Sequence, residues 1–95
     1  MDEKRTFPRT RINIPAELTI GNKKIQSHIV NLSIGGAYFE IPETEKQNIT
    51  KTIIGKPAEF LVHSRLTKVP IAYNGNVIRV FEDTDATKYV ALRFL

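Results

Sequence analysis

Period-two alternation is the feature of this chain that most narrows what it can fold into. From Ala16 to Ile20 the side chains alternate, with Ala16, Leu18 and Ile20 on one side and Glu17 and Thr19 on the other. Successive strand side chains point to opposite faces, so this spacing predicts a strand with one buried face. Gly21-Asn22 follows directly. A glycine at the first central position suits a two-residue type II′ hairpin. A second strand over 23–30 then carries Ile25, Ser27 and Ile29 on one face and Gln26 and His28 on the other.

The stretch from Asn31 to Gly36 interrupts the alternation. Asn and Ser bond their own backbone in turns, and paired glycines allow positive φ. A third strand over 37–41 stops at Pro42. Thr44-Glu45-Lys46-Gln47 has capping-box form. Ile49, Ile53, Ile54 and the terminating Gly55 follow, which predicts a short helix near 45–53. Further strands are predicted over 58–62, 69–81 and 89–94, with a bulge near Asn74-Gly75-Asn76 and a polar turn over 81–87. Six short strands separated by turn signals predict an all-β fold, a small six-stranded antiparallel β-barrel. Closure removes the exposed edges that a small sheet would otherwise present. With 95 residues the chain has room for one domain. It divides into an N-terminal arm, residues 1–11, and a barrel, residues 12–95.

Several function classes drop out on composition. There is no cysteine, so disulfides, thiolate zinc sites and cysteine nucleophiles are excluded. That absence fits a reducing cytoplasm, the expected location. No apolar run is long enough for a membrane-spanning helix, and Met1-Asp2-Glu3-Lys4-Arg5 leads into no signal-peptide core. His28 and His63 lack the spacing of metal ligands. Ser33 does not sit in a nucleophile elbow, and Gly35-Gly36 is not a phosphate loop of the P-loop or Rossmann type. Glu43/Glu45 and Asp83/Asp85 fall in loops, where solvated charge is the default. The expectation is a protein that is not an enzyme and holds no metal or cofactor.

The arm is different. The net charge of +4 comes from 14 basic and 10 acidic residues. Lys4, Arg5, Arg9 and Arg11 fall within eight positions with no acidic residue between them. Charge alone leaves two readings open: a solvated basic tail, or a site for an anion. Arg5 and Arg9 are four apart, but Pro8 biases Phe7 towards extended geometry and argues against a helix. Four extended residues span at most about 13–14 Å, and a bend shortens that distance. Two arginines on a bent arm suit one compact ligand. The guanidinium fork grips phosphate, reads the O6 and N7 acceptors of guanine, and stacks on a base. Asn31-x-Ser33-x-x-Gly36 complements this. Asn31 both donates and accepts towards a base edge. The Ser33 hydroxyl donates to a phosphate or to the backbone. Gly36 allows close approach of a flat ligand. Read alone, the same turn is also an ordinary Asx turn between two strands.

Arg-x-x-x-Arg at 5–9, a strand pair, and Asn-x-Ser-x-x-Gly at 31–36 together resemble the PilZ domain family. Ile12-Asn13-Ile14-Pro15-Ala16 looks like its proline-containing first strand, Gly75-Asn76-Val77 like its late Gly-x-Val strand, and Ala91-Leu92-Arg93-Phe94 like its last strand. The resemblance implies a six-stranded, split-barrel-type fold that binds the bacterial second messenger cyclic di-GMP. It implies that Arg5 and Arg9 hold phosphates and guanine edges, and that Asn31 contacts a guanine where many members have Asp. Ser33 and Gly36 then complete the ligand-binding set, and Lys4 adds a phosphate contact. The expected mechanism is an arm that orders on ligand binding and presents a new surface to a downstream protein partner. Two other readings are a degenerate PilZ-like interaction module and a small nucleic-acid-binding barrel. Nucleic acid and membrane are not the expected partners, because most aromatics fall where a core would claim them, not on a stacking platform.

Overall fold

The computed structural model describes residues 12–63 and 69–95. Within them the chain forms six strands: β1 (Ile14–Ile20), β2 (Lys23–Leu32), β3 (Gly36–Ile41), β4 (Pro57–Val62), β5 (Ile71–Glu82) and β6 (Lys88–Phe94). All neighbours pair antiparallel, in the order β1-β2-β3-β6-β5-β4, and β4 returns to β1 to close the barrel. This is the predicted fold class. The first hairpin also forms as predicted. Ile20 pairs with Lys23, Gly21 has φ of 62°, and Asn22 does not enter the positive-φ region, the pattern of a type II′ turn.

The inward faces supply the core. Leu18, Ile25, Phe39, Phe60, Val77, Val90 and Leu92 are almost fully enclosed. Phe39 and Phe60 meet edge to face with ring centres 4.9 Å apart, a favoured aromatic geometry. Ser27 is the one buried polar side chain among the described residues. Its Oγ donates to the Ala16 carbonyl at 3.2 Å, so the hydroxyl enters the core with its hydrogen bond made.

The two ends of the barrel differ. One end holds the β1–β2 hairpin, the last residues of β3 and β5, and the start of β6. The β3–β4 crossover closes it. The sequence predicts a helix near 45–53 there; the structure has two short 3-10 helices, Glu43–Asn48 and Lys51–Ile53. Thr44 is no cap, because the first helix begins after Pro42 and has no side-chain cap. Between the two, Ile49 is extended and buried, and Ile53 packs against the core. A continuous α-helix would advance only about 1.5 Å per residue, against about 2.0 Å for a 3-10 turn. The broken path spans further and still sends both isoleucines into the barrel. Lys88 fixes it by donating to the carbonyls of Lys46 at 3.0 Å and Ile49 at 2.5 Å. Gly55 stops the second helix at φ of 95°, as its position after the isoleucines predicts.

Two further boundaries are corrected. β2 runs to Leu32, so Asn31 belongs to a strand. The β5 irregularity lies between Val77 and Arg79, not near Asn74-Gly75-Asn76. Those three residues pair regularly with Glu59, Ala58 and Pro57. Gly75 is needed for another reason: a Cβ there would strike the Arg93 carbonyl of β6.

Candidate functional site

The other end of the barrel carries the start of β1, the β2–β3 turn, the end of β4 and the end of β6. A bulge decides which way Asn31 faces. Ile25, Ser27 and Ile29 point inward, so an unbroken strand would turn Asn31 inward too. The β2–β3 register shifts between Ile29 and Asn31, which pairs Asn31 with Tyr38 and Leu32 with Ala37. One extra residue in a strand exchanges the faces of everything beyond it. Asn31 thereby reaches the outer wall, and Leu32 turns to the barrel mouth.

Ser33 builds the turn. Its N–H donates to the Gly36 carbonyl at 2.9 Å and its Oγ to the same oxygen at 3.4 Å. That leaves Ile34-Gly35 as the tip, with Ile34 fully exposed. Of the two acceptors foreseen for the Ser33 hydroxyl, the structure shows the backbone. Asn31 makes no such bond: its amide has no hydrogen-bond partner among the described residues, so the turn is held by Ser33. Neither Gly35 nor Gly36 has positive φ, contrary to the expectation for this pair. Gly36 answers to packing, because a Cβ would run into the Leu92 carbonyl of β6. Gly36 on β3 and Gly75 on β5 thus admit the end of β6 between them.

Asn31, Ser33 and Gly36 come together around one depression of about 180 Å³ on the outer wall, bordered also by Tyr38, Ile78 and Arg93. Sequence reasoning missed these three. Ile78 is exposed because the β5 bulge turns both it and Arg79 outward. Arg93 faces out between Gly36 and Asn76, its register partners, and has no ion-pair partner among the described residues. Arg79 is committed elsewhere, with its guanidinium carbon 4.4 Å from the Phe81 ring centre. Strand parity offers one signal for Arg93, since it alternates with the buried Leu92. Nothing local marks Tyr38 or Ile78. The depression thus brings together an amide and a guanidinium that have no side-chain partner among the described residues and an exposed aromatic edge, a set that suits a planar, anionic, hydrogen-bonding ligand. Arg5, Arg9, Lys4 and Arg11 lie outside the described residues. His28 and His63 are both exposed, on β2 and just after β4.

A small closed β-barrel with a shallow depression of mixed polar and apolar lining on one outer wall has the form of a binding module. The PilZ domain model matches residues 3–95, and the chain belongs to that family, a cyclic di-GMP-binding family of binding modules. Among solved structures, the Bacillus subtilis inhibitor of motility MotI/DgrA is similar in fold, with a TM-score of 0.70 at 15% sequence identity. The match covers 99% of this chain and 43% of that one, so the chain spans less than half the length of this neighbour. No curated protein matches the sequence. No helix among the described residues is long and apolar enough to cross a membrane.

Proposed function

We propose that this chain is a cytoplasmic bacterial receptor module for cyclic di-GMP, and that Arg5 and Arg9 close over a ligand received by Asn31, Ser33 and Gly36. The observation that carries this reading is the convergence of those three motif residues, with Arg93, around one depression at the end of the barrel from which the arm departs. The Asn31 amide is available to a guanine edge. Ser33 keeps the turn narrow, and Gly36 holds the wall flat. The arginines supply charge-assisted, bidentate contacts to phosphate and guanine. Arg93 adds a fixed positive charge on the barrel side.

Ligand contact orders the arm, residues 1–11, against the barrel, residues 12–95, and the surface so formed is read by a protein partner. Because the fold neighbour is an inhibitor of motility, a motility component is the first partner class to test. Calorimetric titration with cyclic di-GMP tests the site. Arg5→Ala and Arg9→Ala are each expected to weaken binding by roughly a hundredfold, since truncating a charge-assisted bond costs up to about 3 kcal/mol. Unfolding midpoints should stay unchanged. Unaltered affinity in both variants would refute the assignment.

A further inference from the structure

The depression at Asn31 is equipped to tell one purine from another by a single side chain. It measures about 180 Å³. A cavity of roughly 150 Å³ is enough to hold a benzene ring, so the depression takes one base of a dinucleotide and not the whole molecule. Four of the side chains that border it can address a base or a phosphate: Asn31, Ser33, Tyr38 and Arg93. Three of these do not choose between purines. Tyr38 presents an exposed ring, braced edge to face by Phe81 with ring centres 5.6 Å apart. Stacking on such a ring is tolerant of base identity, because every base has a π face. The Ser33 hydroxyl is taken up by the Gly36 carbonyl. Arg93 stands on β6, on the far side of β3 from Asn31. Two strand spacings, about 10 Å, separate β2 from β6. The guanidinium, a natural partner for phosphate, and the amide therefore face different parts of one ligand.

Base choice at this position falls to Asn31. Its side chain carries one acceptor oxygen and two amino donors, and no partner among the described residues fixes which of them faces the depression. Rotation about χ2, a broad two-fold torsion, exchanges them. In one orientation the carbonyl accepts from guanine N1–H while the amino group donates to O6. In the other the carbonyl accepts from the adenine N6 amino group while the amino group donates to N1. Each is a two-bond match, and Asn is a good bidentate partner for adenine on its N6/N7 edge as well. A carboxylate at the same place is acceptor-only when ionised. It fits the N1–H and N2 amino donors of guanine and opposes the bare N1 of adenine.

We propose that this chain also accepts a cyclic dinucleotide carrying one adenine in place of one guanine, with the adenine edge on Asn31. The proposal rests on the cyclic di-GMP reading above and widens its ligand class to mixed-purine cyclic dinucleotides.

The test is calorimetric titration of the whole chain with cyclic di-GMP and with cyclic GMP-AMP of the same linkage. The two affinities are expected to lie within about tenfold of each other; a wider gap in favour of cyclic di-GMP would overturn the proposal. Asn31→Asp is expected to widen the gap by at least about tenfold through loss of the mixed nucleotide, since a bidentate base contact discriminates by roughly fivefold to 150-fold. The added negative charge acts on both ligands alike, so the ratio isolates the base edge. A ratio unchanged by Asn31→Asp would place the adenine elsewhere and overturn the assignment. Asn31→Ala, which removes both orientations, should weaken the two ligands by similar factors, and a selective loss of cyclic di-GMP alone would also count against it. Exclusion of the mixed nucleotide with cyclic di-GMP still bound sinks this proposal and leaves the ligand reading standing. Failure of both to bind the wild-type chain sinks both.

Discussion

The two ends of this barrel are built on opposite plans. At the crossover end, Ile49 is buried, Ile53 packs against the core, and Lys88 ties the path down through two carbonyls. At the mouth, Leu32 and Tyr73 stay exposed around a cavity, and the depression that holds Asn31 and Arg93 opens beside it. One end buries its apolar side chains, and the other leaves several of them exposed. Regions that carry function are commonly drawn from the less stable part of a fold, since a surface already satisfied by the chain itself has little to offer a ligand.

Substitutions at the two ends should separate these roles. The largest effect on stability is expected from Ile49→Ala. Emptying a core isoleucine site costs about 3 kcal/mol, and urea unfolding should show the loss while cyclic di-GMP affinity in the folded fraction is kept. Gly36→Ala comes next, at about 2 kcal/mol, because the new methyl must displace the Leu92 backbone. It is the one change expected to harm both readouts, as it distorts the wall of the depression. Lys88→Met should cost about 1–2 kcal/mol by leaving the Lys46 and Ile49 carbonyls without their donor, again with binding retained. Asn31→Ala should be the mildest for stability, within about 0.5 kcal/mol, yet should weaken nucleotide binding roughly tenfold. If Asn31→Ala unfolds the chain, or Ile49→Ala selectively removes binding, the division between the two ends is wrong.

Much of the fold was readable from residue order. The alternation around Leu18 and Ile25 set the inward faces, Gly21-Asn22 set the first hairpin, and Pro42 and Gly55 marked the limits of the crossover. These signals are local, arising from strand periodicity and turn chemistry within a few residues. Asn31, Ser33 and Gly36 were likewise readable as one group, because they lie within six residues, from the end of one strand through a turn to the start of the next. The crossover path was not. Thr44-Glu45-Lys46-Gln47 favours a helix start locally, but the distance to be crossed and the burial of Ile49 outweigh that preference.

The sequence by itself determined the six strands, their inward residues and the motif that nominates the site. Tertiary structure alone decided the direction in which Asn31 points, since a bulge is a property of strand pairing and depends on register against β3. It also decided that Arg93, Tyr38 and Ile78 border the same depression, through pairings far apart in the chain. And it decided why Gly36 and Gly75 must be glycines, because the clashing atoms belong to β6, which packs against both only when the barrel closes.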